Sequence, residues 1–206
     1  MMLDSPPKQE MISLPPVPVG AKRVLHVGCG PNNPENLHPV FRTNEWTEVR
    51  FDIDSSVKPD LVGDITAMWD VGESQFDSVW SSHNIEHLDE HKVCLAFYHF
   101  WRVLKPGGFL LITCPDLQAI AALVAEDGLD LPAYQSPAGP IRPMDMIYGH
   151  SKSIAMGQTY MAHRTGFTRR TLTGSLEAAT FADVQCIRGK PGFFDLWAVA
   201  TKPGPE

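Results

Sequence analysis

Val24-Leu25-His26-Val27-Gly28-Cys29-Gly30 is the stretch on which the reading of this 206-residue chain turns. An apolar, β-branched run that stops at Gly-x-Gly reads as a buried parallel strand whose end turns sharply and lets the backbone approach a ligand closely. A helix is expected to open near Pro31-Asn32-Asn33, with free N–H groups facing an anionic group such as a carboxylate or phosphate. The next apolar run ends at Asp52, 22 positions past Gly30. That is close to the ~20-residue offset at which a second-strand carboxylate meets a ribose diol. Asp54 competes for the same role, and Asp52 is preferred as the first carboxylate after the run. Asn33 stands where a dinucleotide fingerprint has its third glycine, and no G-x-x-x-x-G-K-[ST] loop is present. The two features together suit an adenosine-containing ligand without a diphosphate.

Working outward, strand signals fall at 23–28, 47–52, 61–63, 76–81 and 108–114 and alternate with other elements in the manner of parallel pairing with right-handed crossovers. The clearest helix spans 89–104, where Val93, Phe97, Phe100, Trp101 and Leu104 recur on one face and Lys105-Pro106-Gly107-Gly108 stops it. That aromatic stripe is read as core packing. Asp116 is expected to cap a helix over 117–126, and Thr168 another through 179. Runs at 184–188 and 193–201 follow, with Pro191-Gly192 between them. The expectation is an α/β, Rossmann-like, doubly wound and mostly parallel seven-stranded sheet with an antiparallel last strand. Its crevice lies at the carboxyl ends of the first and fourth strands.

These pieces resemble, in order and spacing, the class I S-adenosylmethionine-dependent methyltransferases, type 11-like members among them. "VLHVGCG" is similar to that family's first motif, "EVRFDID" to its second strand and ribose-binding acid, and "LVGDIT" to its third strand with an adenine-side acid. "FDSVWSSHNIEHL" resembles the fourth strand and its loop, and "RVLKPGGFLLITCPD" the passage into the fifth. The resemblance runs from about Val24 to Asp116, with a weaker echo from Thr168 to Lys202. It implies S-adenosylmethionine as cofactor, bound by His26, Gly28, Cys29, Gly30, Asp52, Ile53, Asp64, Ile65 and Ser82. Gly28 and Gly30 would pass under the methionine part, and Asp64 with Ile65 would border the adenine. Asp64 has a plainer alternative as the cap of 65–69. His26 departs from the family, many of whose members carry Asp or Glu there to help hold the cofactor's ammonium group.

Composition fits one globular domain, with 43% hydrophobic and 20% charged residues. A formal net charge of -7 argues against a nucleic-acid backbone as partner. The four cysteines are dispersed in apolar segments, the pattern of buried thiols. Residues 1–20 hold five prolines and no long apolar core, so they read as a flexible arm, neither a signal peptide nor a membrane span. Residues 21–206 then form the domain, the expected location is cytoplasmic, and the oligomeric state is left open.

Methyl transfer from a sulfonium needs alignment, desolvation and, for an oxygen or nitrogen nucleophile, a base. His83 and His163 are the two candidates for that base, since each falls where substrate loops converge in such a fold. His83-Asn84-Ile85-Glu86-His87 also spells H-x-x-E-H, a zinc signature that requires helical spacing, but the first histidine follows a strand directly, so no metal is expected. A long stretch rich in Pro, Gly, Met and Tyr over 127–166 reads as a substrate-covering insertion. Tyr134, Met144, Met146, Tyr148, His150, Tyr160 and Met161 are candidates to line its pocket. No Asn-Pro-Pro-Tyr sequence follows the fourth strand, so a small-molecule acceptor is favoured over a nucleic-acid base. Two other classes remain open: a non-catalytic S-adenosylmethionine-binding protein and a nicotinamide-dependent oxidoreductase.

Overall fold

The computed structural model of the protein describes residues 14–16, 18–136 and 139–204. Most of the expected N-terminal arm lies outside these residues. Its described part approaches the domain, with Leu14 packed on the core and the Arg23 guanidinium donating to the Pro15 carbonyl at 2.7 Å.

In chain order the strands and α-helices are β1 (Lys22–Val27), β2 (Trp46–Asp52), β3 (Leu61–Val62), β4 (Phe76–Ser82), α1 (Glu90–Val103) and β5 (Leu104–Pro115). Then come α2 (Leu117–Ala125), β6 (Tyr134–Ser136), β7 (Gly139–Ile141), α3 (Pro143–Tyr148), α4 (Ser151–Ala155), α5 (Arg169–Ala178), β8 (Ala182–Arg188) and β9 (Asp195–Thr201). Seven strands form one sheet in the order β3-β2-β1-β4-β5-β9-β8, and β6 pairs with β7 as a separate hairpin. The pairs from β3 to β5 are parallel, while β9 runs antiparallel to both β5 and β8. The order reverses between β1 and β4, which opens a crevice at their carboxyl ends.

Register explains the core. Val49, Leu25, Val79, Leu110 and Ala200 lie side by side across five strands, all fully buried. On that face α1 lays down Val93, Ala96, Phe97, Phe100 and Val103, and α5 adds Leu172 and Leu176. Arg102 of α1 reaches past this layer to donate to the carbonyls of Met68 and Val71, fastening the β3–β4 connection.

The other face differs from expectation. No α-helix opens at Pro31; among the described residues, which include all of 28–45, this connection holds only 3-10 turns at Pro34–Asn36 and Pro39–Phe41. Pro34 and Pro39 account for this. Each lacks an N–H, and the Pro39 ring would clash with the carbonyl four residues back in any α-helix running through it. The turns cover the sheet with Leu37 and Phe41, packed on Val24, Trp80 and Leu111 and flanked by Trp46, Phe109 and Trp197. Trp80 donates its indole N–H to the Asn36 carbonyl at 3.0 Å, and Asn36 Nδ2 donates to the Cys29 carbonyl at 3.2 Å.

The region between α2 and α5 carries more order than its composition suggests, with a hairpin, two short helices and a 3-10 turn at Thr159–Met161. Asp145 organises it, accepting from Arg142 Nε at 2.8 Å and from Ser151 Oγ at 2.6 Å. The Arg142 guanidinium holds this carboxyl well below the usual carboxylate range, against the opposing effect of burial. No helix among the described residues is long and apolar enough to cross a membrane.

Candidate functional site

A cleft of about 820 Å³ opens where the sheet order reverses, lined at one end by Gly28, Gly30, Asp52, Ile53, Asp64, Ile65 and Asn84 and at the other by His83 and His87. Its floor follows from the β1 turn. Gly28 has φ +62, and a Cβ there would sit 2.7 Å from Asn84 Cγ, so a side chain at this position would be both strained and obstructed. Asp52, nearly buried at the end of β2, accepts from the Gly30 amide at 2.8 Å and the Asp54 amide at 2.9 Å. Each oxygen thereby keeps lone-pair capacity beyond its one backbone bond. Asp64 accepts from the Thr66 amide and hydroxyl, both at 2.8 Å, so the capping role and a place in the cleft lining hold together.

Three residues expected at the cofactor do not line the cleft. His26 is 2% exposed, and its Nδ1 lies 2.6 Å from Glu48 Oε1 of the neighbouring strand. Strand alternation carries both side chains to the tryptophan-bearing face, away from the crevice. Cys29 is buried, its Sγ approaching the Gly30 carbonyl at 3.6 Å, and burial pushes its thiol up to about 11. Ser82 ends β4 but is likewise absent from the lining.

Sequence reading missed others. Asn84 abuts Gly28 and has a buried Nδ2 without a hydrogen-bond partner among the described residues, a donor at the glycine end of the cleft. Arg50 donates to the carbonyls of Gly30, Val57 and Lys58 and so joins the glycine turn to the loop after β2. Tyr160 donates its hydroxyl to Asp54 Oδ2 at 3.1 Å across 106 residues, which brings the insertion to the loop after β2. Of the seven insertion residues expected to line the pocket, Tyr160 and Met161 do so. Met146 is buried and Tyr134 stacks on Phe194, so both hold the insertion to the domain.

At the opposite end three histidines surround one glutamate. His83 has φ +46, its amide donates to the Thr113 carbonyl at 2.9 Å, and its Nδ1 stands 3.4 Å from Glu86 Oε1. Glu86 is 1% exposed. Burial alone would raise its carboxyl, but His83, then His87 and His163, outweigh it and hold Glu86 below its ordinary value. The same contact, against desolvation, carries His83 above its own. His163 does not line the cleft: its Nδ1 is bonded to the Met146 carbonyl at 2.8 Å and its ring meets His87 edge-on at 4.8 Å. Of the two candidate bases, only His83 reaches the cleft. The irregular segment carrying His163 is clamped at Gly149 (φ +94), where a Cβ would fall 2.1 Å from the Met161 carbonyl oxygen.

Comparison with known proteins bears on this arrangement. The family profile described as a methyltransferase domain matches residues 25–112, under half of the chain. None of the curated proteins compared matches the sequence. Among solved structures, a Bordetella parapertussis protein described as a possible exported protein superposes with TM-score 0.57 at 18% identity. The alignment covers 90% of this chain, which spans 64% of that protein's length. A SAM-dependent methyltransferase from Archaeoglobus fulgidus gives 0.56 at 16% identity, covering 89% of this chain and 87% of that one. A Burkholderia thailandensis 1,6-didemethyltoxoflavin-N1-methyltransferase, solved with that compound and S-adenosylhomocysteine, gives 0.53 at 17% identity over 89% of this chain and 72% of its own. At these identities the superpositions establish a shared fold.

Proposed function

We propose that this chain is a class I S-adenosylmethionine-dependent methyltransferase that moves a methyl group to a small-molecule acceptor held in the cleft between Asp52 and His83. The observation that carries this reading is one continuous cleft lined both by the glycine turn with Asp52 and Asp64 and by His83 and His87. The residues present fit the cofactor. A glycine turn that a Cβ would obstruct, a carboxylate already oriented by two backbone amides and an unpartnered buried Asn84 amide are what a nucleoside with an amino-acid tail requires.

In this reading Asp52 takes the ribose hydroxyls, Asp64 and Ile65 border the adenine, and Asn84 donates to the carboxylate of the amino-acid tail. When bound, S-adenosylmethionine supplies a methyl group on a positively charged sulfur. The protein's share is alignment, exclusion of water and proton removal. His83 is placed to take a proton from an acceptor hydroxyl or amine, with Glu86 beside it to stabilise the imidazolium. Tyr160 and Met161 of the insertion close the cleft from above. A small acceptor is supported by the size of the cleft, by the net charge of -7, and by the 1,6-didemethyltoxoflavin bound in the similarly folded Burkholderia structure. The cytoplasmic location expected from the sequence is retained as part of this proposal.

Calorimetric titration with S-adenosylhomocysteine tests the cofactor end, and methyl transfer to a panel of hydroxylated and amino-bearing small molecules tests the acceptor end. Binding without turnover on any acceptor would favour a non-catalytic cofactor-binding protein. Binding of NAD in place of S-adenosylhomocysteine would overturn the assignment.

A further inference from the structure

The cluster around Glu86 contains more than a general base requires. One carboxylate oxygen of Glu86 and one ring nitrogen each of His87 and His163 all lie within 4.8 Å of one another. Glu86 is 1% exposed, and among the described residues neither of its oxygens accepts a hydrogen bond. The nearest candidate donor, His83 Nδ1, remains at 3.4 Å. A buried carboxylate left in that condition is costly unless a positive charge comes to it.

The backbone contacts of the two histidines set tautomers that suit such a charge. His87 Nδ1 lies 3.2 Å from the Ala162 carbonyl oxygen and His163 Nδ1 lies 2.8 Å from that of Met146. A carbonyl oxygen only accepts, so in each ring Nδ1 carries the proton. In the neutral imidazole Nε2 then offers its lone pair. Fixing the tautomer through a backbone carbonyl is how metal-ligating histidines are commonly held. The backbone brings the three together, since the amides of Arg164 (2.8 Å) and Thr165 (3.2 Å) both donate to the Glu86 carbonyl. That joins the irregular segment bearing His163 to the turn bearing Glu86 and His87.

We propose that Glu86, His87 and His163 form a binding site for one divalent transition-metal cation at the acceptor end of the cleft, with its remaining coordination positions open to the acceptor. Ligands sit about 2.0–2.2 Å from such an ion, so side-chain rotation has to draw the three atoms in from their present spacing. Two imidazoles with one carboxylate suit Zn, Mn, Fe or Co better than Mg or Ca. The sequence pattern H-x-x-E-H pointed to His83 as a ligand and failed on helical spacing. The ligand that completes the set is instead His163, 76 residues beyond His87 in sequence. Because His87 also lines the cleft, the open positions face the place assigned above to the acceptor. This extension rests on that reading, and it makes a hydroxyl-bearing, metal-ligating molecule the acceptor class.

The test uses the full chain freed of metal by a chelator and titrated with Co²⁺, followed by visible ligand-field absorption. The expected result is one equivalent bound, with affinity reduced at least 10- to 100-fold in Glu86→Gln and in His163→Ala and unchanged in His91→Ala. Circular dichroism checks that each variant is folded, and His87→Gln replaces any that is not. The absence of a ligand-field band, or equal Co²⁺ affinity in the ligand variants, overturns the site and leaves His83–Glu86 as a simple ion pair. S-adenosylhomocysteine binding by the same metal-free protein is measured in parallel. If it persists while Co²⁺ binding fails, the metal site falls and the transferase reading stands. If it fails while Co²⁺ binds, the transferase reading falls instead.

Discussion

Replacing Asp52 by Asn separates the two duties the structure gives this carboxylate. In the native chain its two oxygens accept from Gly30 N at 2.8 Å and Asp54 N at 2.9 Å. An asparagine keeps the shape but has one acceptor oxygen, so whichever way the amide is turned its NH₂ faces one of those backbone N–H groups. A buried donor left unpaired costs about 1–3 kcal/mol. For a chain of this size that corresponds to a Tm decrease of roughly 2–4 °C per kcal/mol. Ligand binding suffers separately, because a hydrogen bond to an ionised group contributes about 1.5–3 kcal/mol, equivalent to about 10- to 150-fold in Kd. Thermal melts report the first effect and calorimetric titration with S-adenosylhomocysteine, run well below Tm, reports the second. A lowered Tm with Kd unchanged within about twofold would show that Asp52 only staples the loop, and the ribose assignment would be refuted.

Phe97→Ala removes a fully buried ring at the centre of the α1 layer and is expected to cost about 3–5 kcal/mol in urea unfolding. Tyr160→Phe deletes the hydroxyl contact to Asp54 at an exposed position; stability should move by less than about 0.5 kcal/mol while S-adenosylhomocysteine dissociates faster in stopped flow. His99, fully buried in α1, is lowered to about 4 by burial and then by the Arg102 charge. Below pH 6.5 the unfolded chain takes up a proton that the folded chain refuses until about pH 4, so stability is lost as pH falls through that window. Between pH 7.5 and 5.0 the loss should be about 2 kcal/mol in urea titrations, and His99→Phe should flatten it.

The strands were legible because their apolar runs are bounded by Gly, Pro and Asp, and their ends fell within a few residues of the observed ones. So were the caps, with Asp116 accepting from the Gln118 amide and Thr168 from the Thr171 amide as their side-chain chemistry implies. The expected helix after the glycine turn failed because Pro34 and Pro39 outweigh the general pattern of the fold. His26 was misplaced toward the ligand for want of the strand register: His26 pairs with Arg50, two residues from Glu48 on the same face, and that pairing follows only once β1 and β2 are aligned. That His163 joins Glu86 and His87 was not legible for a different reason. His163 reaches them through the Gly149 crossing and the Arg164 and Thr165 amides, contacts between distant segments that no local spacing encodes.

The pair of 3-10 turns at Pro34–Asn36 and Pro39–Phe41 has a bearing on how binding strength is distributed. An α-helix starting at the tip of the first strand would bring an aligned column of peptide dipoles to the ligand, a diffuse field that no individual side chain controls. Three-residue turns supply almost none of that field. On the proposed reading, attraction for the carboxylate of the ligand's tail would then be concentrated in discrete donors such as Asn84, so one substitution there should reset affinity to a degree that a helix-backed pocket would absorb.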